Sequence, residues 1–436
     1  MINIEKIIPG GQALGTDKDG KKGFFWNALP GETIEKYDIT KQKSHYFEAI
    51  ATKIQSPSKF RVSPKDPCYL STSPWQIMDF KYENQLKSEL VQEVFREHNI
   101  EITLPELLTD GTSYFYRNKM EYALYWDNET SKISLAFHAR GSHRKAPITS
   151  SSIERPEIFA TACQIVEDLN ARHEEARKYQ SLLLRCNQDG QVSGGLFENG
   201  KPHPVFKNLT DQILGYTYSY SPNGFFQINL PVYEMALKAI QKHIFTDKVL
   251  DLYAGVGTIG LSVARNHHLT LVECDKSAFG ELARNCKRLS NYELKNGVNR
   301  GLPECSEAKD ITIEDISEPG KARISAGRPW RRAGRTRVRN SNIFAILAKS
   351  EDALDYIEPD QTVILDPPRA GCDKKLITKL NETKPSTIIY LSCNPATQAR
   401  DIKLLLEKYQ IEDVKTFNFF PRTPHIENLV ILQKSC

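Results

Sequence analysis

No stretch of this 436-residue chain approaches the ~20 consecutive apolar residues that a membrane span requires. The opening Met1-Ile-Asn-Ile-Glu-Lys6 also lacks a charged-then-apolar leader, so a cytoplasmic protein is expected. Its nine cysteines are scattered and form no CxxC pair, which speaks against a disulfide framework or a zinc ribbon and for reduced thiols. Charge of one sign is scarce too: 58 basic against 54 acidic side chains leave +4. That permits an RNA partner through a local patch without demanding one.

What is present falls into three parts and an insertion. Residues 1–60 alternate short β-type runs with turns such as Pro9-Gly10-Gly11 and Leu29-Pro30-Gly31, the pattern of a small β-barrel. Phe24, Phe25 and Trp26 lie in one of its strands as barrel core or as a stacking face for bases. Residues 61–235 mix helices (Tyr82 to His98, Pro156 to Lys178) with strands (Lys119 to Trp126, Ile133 to His138), an α+β domain. Arg117-Asn118-Lys119 and the basic turn from His138 to Lys145 are either solvated loops or RNA-backbone contacts.

Residues 236–436 give the clearest rhythm, with strands near 248–253, 269–274, 343–348, 362–366, 387–392, 414–420 and 428–434 alternating with helical stretches. This predicts an α/β fold with a seven-stranded, doubly wound, Rossmann-like sheet whose last two strands form an antiparallel hairpin. Residues 291–341 interrupt the rhythm with an acidic block and then a run of arginines, and a mobile insertion is expected there.

Three features end on different parallel strands of that sheet and converge on one crevice. The first is Asp251-Leu-Tyr253-Ala-Gly255-Val-Gly257-Thr258-Ile-Gly260, whose glycines suit a tight nucleotide-binding turn. Glu273, ending the next strand, is placed to hold ribose hydroxyls, and an NAD site remains open at this point. The second is Asp366-Pro367-Pro368-Arg369, where two prolines keep the backbone extended at the pocket mouth. The third is Cys393 in Ser392-Cys393-Asn394-Pro395. Hydride transfer gives that thiol no work. Methyl transfer to C5 of a pyrimidine does, because a thiolate added at C6 turns C5 into an enolate carbon able to accept the methyl. A base must then remove the C5 proton, and Glu427, in the turn between the last two strands, is the candidate, with His425 second.

Ser221-Pro-Asn-Gly-Phe-Phe-Gln227-Ile-Asn229, the Asp251 glycine turn, Leu365-Asp366-Pro-Pro-Arg-Ala-Gly371, and Tyr390-Leu-Ser-Cys393-Asn-Pro with Thr423-Pro-His-Ile-Glu427 together resemble the RNA uracil-C5 methyltransferase family. Residues 1–60 resemble its TRAM barrel, and Tyr116-Arg-Asn-Lys-Met120 its central RNA-binding domain. The resemblance implies Cys393 as nucleophile and Glu427 as base, with Gln227, Tyr253, Thr258, Glu273 and Asp366 lining a pocket for S-adenosyl-L-methionine and uracil. It implies an RNA partner, 23S ribosomal RNA ahead of transfer RNA, with the target uridine drawn from its stack. A monomer is expected. Some relatives carry a four-cysteine iron–sulfur site, but Cys68 alone stands in that stretch, so neither a cluster nor another metal is expected. The insertion obscures which residue near Lys349-Ser350 meets the adenine. A methyltransferase acting on a base nitrogen and an inactive RNA-binding relative are the rival readings.

Overall fold

The computed structural model describes residues 1–296 and 342–435, so most of the expected insertion lies outside the described residues. Strands β1 (Ile2–Ile7), β2 (Ala13–Thr16), β3 (Lys22–Trp26), β4 (Thr33–Gln42) and β5 (Tyr46–Ser56) close into a barrel in the order β1-β2-β3-β5-β4. Alternation along β3 buries Phe25 and leaves Phe24 and Trp26 part-exposed. The Arg140 guanidinium stacks 4.2 Å over the Trp26 ring. The same side chain donates to the Leu70 carbonyl, so this member of the basic turn braces barrel against neighbour.

A short helix α1 (Tyr69–Thr72) and the long α2 (Phe80–Glu97) follow, the latter capped by Asp79, whose carboxylate accepts from the Tyr82 N–H. Strand β6 (Glu106–Leu108) comes next. Strands β7 (Lys119–Asp127), β8 (Lys132–His138), β9 (Lys145–Pro147), β10 (Ser181–Cys186), β11 (Val192–Glu198) and β12 (Lys201–His203) form an antiparallel sheet in the order β12-β11-β10-β7-β8-β9. Helix α3 (Pro156–Ala171) packs on it and shares its core. The expected helix to Lys178 ends earlier because His173 turns left-handed, with φ 57°.

A hairpin of β13 (Leu209–Ile213) and β14 (Tyr216–Tyr220) leads to α4 (Leu230–Gln241). Both pack on the C-terminal sheet. That sheet contains β15 (Lys248–Leu252), β16 (His268–Glu273), β17 (Ile343–Leu347), β18 (Gln361–Leu365), β19 (Thr387–Ser392), β20 (Tyr409–Phe417) and β21 (Glu427–Lys434). Its helices are α5 (Thr258–Val263), α6 (Lys276–Asn296), α7 (Lys374–Thr383) and α8 (Pro395–Leu405).

The strand order is β17-β16-β15-β18-β19-β21-β20-β6. β15 to β19 run parallel, and β21 is antiparallel to both β19 and β20. The α/β expectation therefore holds, with one addition: β6, from the central segment, pairs parallel with β20 as an eighth strand. Alternate residues serve two cores. Leu250, Leu252, Val363 and Tyr390 face α2, α7, α8 and the barrel side, whereas Val249, Leu271, Ile364 and Leu391 face α4, α5 and the β13–β14 hairpin. Among the described residues no helix is long and apolar enough to cross a membrane.

Candidate active site

The glycine turn lies at the carboxyl end of β15. Gly255 and Gly257 have φ of 57° and 89°, a region that suits glycine. A Cβ on Gly257 would sit 2.5 Å from Leu282, so the close helix contact requires its absence. Gly260 lets α5 close on the strand: its N–H donates to Asp251 Oδ2 at 2.8 Å, where a Cβ would also collide. Asp251 Oδ1, fully buried, has no partner. Burial pushes the Asp251 carboxyl up to about 8, with Asp366 and Glu273 adding repulsion.

Glu273 ends β16 with each carboxylate oxygen engaged once, Oε2 by the Gly255 N–H (2.8 Å) and Oε1 by the Asp275 N–H (2.6 Å). Each oxygen keeps acceptor capacity for a hydroxyl. Thr258 opens α5 with its hydroxyl 2.8 Å from that of the buried Tyr233. Tyr253 is left-handed at φ 66° and hydrogen-bonds Ser350, so the stretch near Lys349-Ser350 does reach the turn.

Two strands along, the loops after β18 and β19 are tied together. Asn394 Nδ2 and the Thr397 hydroxyl both donate to the Arg369 carbonyl, at 2.9 and 3.1 Å. This brings the Arg369 guanidinium to the Cys393 thiol, which it hydrogen-bonds, and to His425 Nδ1 at 3.2 Å. Cys393 is half-buried, and burial, with Glu427 and Asp366 beside it, pushes the thiol up to about 11 against the pull of Arg369. Glu427 is 5% exposed, and burial holds its carboxyl well above the usual range, with Asp366 raising it further and Arg369 opposing. Asp366 is pushed up to about 7 by burial. His425 is pushed down to about 4 by burial and by Arg369, so it stays neutral at neutral pH.

Glu427 is not in the turn where the sequence placed it: it opens β21, opposite Phe417. The preceding loop, 418–426, is held by every part of the chain. Glu83 Oε1 accepts the Arg422 N–H, Lys87 donates to Asn418 Oδ1 and the Phe420 carbonyl, and the Tyr116 hydroxyl donates to the Pro421 carbonyl. Gly11 of the barrel leaves no room for a Cβ beside Pro424.

The loop that carries Gln227 is clamped likewise. Asn118 Nδ2 donates to the Gln227 carbonyl (3.0 Å), Lys119 to the Asn223 and Gly224 carbonyls, and the buried Arg185 to the Gly224 and Phe226 carbonyls. Arg117 donates to the Lys119 carbonyl. Positive side chains that read as a possible RNA patch are thus largely spent on backbone. Arg369, Arg185 and the Glu83–Lys87 pair were missed as site residues. For Arg369 the adjoining Asp-Pro-Pro was the available signal.

The arrangement is that of an α/β methyl-transfer type of domain: a glycine turn with a strand-end carboxylate, beside a cluster of thiol, guanidinium and carboxylates. The family model described as tRNA (Uracil-5-)-methyltransferase matches residues 349–435, the stretch bearing Asp366, Cys393 and Glu427. An uncharacterized RNA methyltransferase of Staphylococcus aureus (strain MSSA476) is 28% identical, over 94% of this chain and 92% of that protein. One from Lactobacillus johnsonii is 26% identical over 100% and 98%. The crystal structure of the Pyrococcus abyssi tRNA (uracil-54, C5)-methyltransferase, in complex with S-adenosyl-L-homocysteine, shares the fold at a TM-score of 0.68 and 20% identity, covering 99% of this chain and 100% of that one. The chain is thus similar over nearly its whole length to proteins described as RNA methyltransferases, and its last part matches the tRNA (Uracil-5-)-methyltransferase family model.

Proposed function

We propose that the protein methylates C5 of a uridine in RNA with S-adenosylmethionine, through a covalent adduct on Cys393. The observation that carries this is the half-buried Cys393 thiol, hydrogen-bonded by Arg369 and flanked by the Glu427 and Asp366 carboxyls. The glycine turn fits the methyl donor: Asp251 Oδ1 has no hydrogen-bond partner within the protein, and Glu273 has acceptor capacity for ribose hydroxyls. Gln227, Tyr253 and Thr258 complete that pocket in this reading. When bound, the donor supplies an electrophilic methyl carbon.

As the Cys393 thiol gives up its proton to solvent, its sulfur bonds to C6 of the base while the C5–C6 π electrons move toward C5 and O4. C5 would take the methyl carbon as its bond to the donor's sulfonium sulfur breaks, releasing S-adenosylhomocysteine. The Glu427 carboxylate then removes the C5 proton, its electrons reform the double bond, and the thiolate leaves. Arg369 favours the thiolate each time it forms. The neutral, Arg369-bonded His425 is the poorer base, which supports Glu427 in that role.

RNA containing 5-fluorouridine, incubated with the donor, should give a stable protein–RNA adduct, because fluorine cannot leave as a proton. Cys393→Ala that still methylates would overturn the mechanism. Methylation of a base nitrogen would favour the first rival reading, and RNA binding without any transfer the second. For the target we hold 23S ribosomal RNA ahead of transfer RNA, on the TRAM-like barrel of β1–β5. A transfer RNA is the alternative, to which the description of the matched family points. Mapping 5-methyluridine in both RNAs from cells with and without the protein decides between them.

A further inference from the structure

Besides the crevice, a cavity of about 400 Å³ opens between the loop after β6, the start of α3 and the start of α4. It lies at the catalytic end of the sheet: β6 finishes beside Phe417, and Phe417 pairs with Glu427. Asn229, two residues beyond Gln227, lines it. Three observations there are unused by the chemistry described above. Asn229 is 1% exposed, and although its Nδ2 donates to the Phe419 carbonyl, its Oδ1 has no partner. Phe115 shows 43% of its surface and holds a left-handed φ of 56°, a conformation uncommon for an aromatic residue. Lys65 stands over one face of the Phe115 ring, 4.2 Å from its centre, so a base would stack on the opposite face.

We propose that this cavity docks a second nucleobase of the RNA, one flanking the target uridine and bearing an exocyclic amine where guanine and uracil carry a carbonyl, that is adenine or cytosine. The inference rests on the RNA-methylating reading. Withdrawing a uridine from its stack leaves its neighbours without partners, and a cavity of this size with an aromatic wall takes one up. Phe115 offers the stacking face. Asn229 Oδ1 and the carboxylate of Asp110 offer acceptors, which an amine satisfies and a carbonyl edge does not. Lys65 is placed to meet the adjoining phosphate.

The test measures binding of short oligo(A), oligo(C) and oligo(U) by fluorescence anisotropy to the full chain, to Phe115→Leu, and to Thr112→Trp, which fills the cavity from its rim. The wild type is expected to bind oligo(A) and oligo(C) more tightly than oligo(U). Both variants should lose about tenfold on the first two, the scale of one stacked base, and with it the preference, while S-adenosylmethionine affinity by calorimetry stays unchanged. Absence of preference in the wild type, or Thr112→Trp binding all three as the wild type does, overturns the proposal. The 5-fluorouridine adduct, assayed on the wild type, separates the two claims. An adduct with no base preference sinks the cavity alone, and a preference lost in both variants without an adduct sinks the uridine chemistry alone.

Discussion

Glu83 and Lys87, one turn apart on α2, form an ion pair of 3.1 Å in which neither side chain reaches solvent. Desolvation lowers the Lys87 pKa, and Glu83 opposes that shift. The pair's remaining capacity goes to the loop ahead of Glu427. Removing Lys87 leaves the buried Glu83 carboxylate only the more distant Arg422 guanidinium at 3.8 Å as its counter-charge, so Lys87→Met should lower unfolding free energy by about 3 kcal/mol in urea melts. Replacing both partners with apolar residues should cost less than either single change.

Cys393 should be sluggish toward iodoacetamide at neutral pH in the free protein, with labelling rising toward half-maximum near the pKa of about 11. Arg369→Ala should move that midpoint upward, because burial and the neighbouring carboxyls then act unopposed. Mass spectrometry of the labelled peptide across pH reads both.

Asp251 carries the clearest pH dependence of stability. Its carboxyl has a pKa of about 8 in the folded chain against an ordinary 3.8, so between these values the folded state keeps a proton that the unfolded state has released. Its contribution is therefore full below about pH 4 and lost as pH rises through about 8. Asp251→Asn, which keeps an acceptor for the Gly260 N–H, should flatten the fall in melting temperature across that window.

A cation bound among Asp251, Asp366 and Glu427 favours their ionised forms. S-adenosylmethionine should therefore release protons on binding near pH 7, and S-adenosylhomocysteine, without the sulfonium charge, fewer. Titration calorimetry in buffers of different ionisation enthalpy measures the difference.

Gly257→Ala places a methyl 2.5 Å from Leu282 and forces a left-handed alanine. At least a tenfold loss of S-adenosylmethionine affinity is expected, for a strain of about 1–3 kcal/mol. Calorimetry provides the check.

The buried parallel strands were legible because continuous apolar runs such as Thr387 to Leu391 have no other place to go. The glycine turn and the strand-end Asp366 and Cys393 were legible for the same reason, since the strand fixes its own end. β6 was not. Three residues, Glu-Leu-Leu, carry no periodicity, and only a distant partner makes them a strand. Nor does sequence distinguish a lysine awaiting phosphate from one that grips a carbonyl over a hundred residues away, as Lys119 does. The position of Glu427 at the head of β21, rather than in the turn, follows from Phe417 and the clamp on α2, both non-local.

Because β6 supplies the outer edge of the C-terminal sheet, Lys415 comes to lie beside Glu106, 309 positions earlier in the chain. The chemical half cannot finish its own architecture. A fragment starting after residue 235 would present β20 as a bare template for any passing strand, and ribosomes must deliver the central segment first and keep it competent until β20 emerges near the end of the chain.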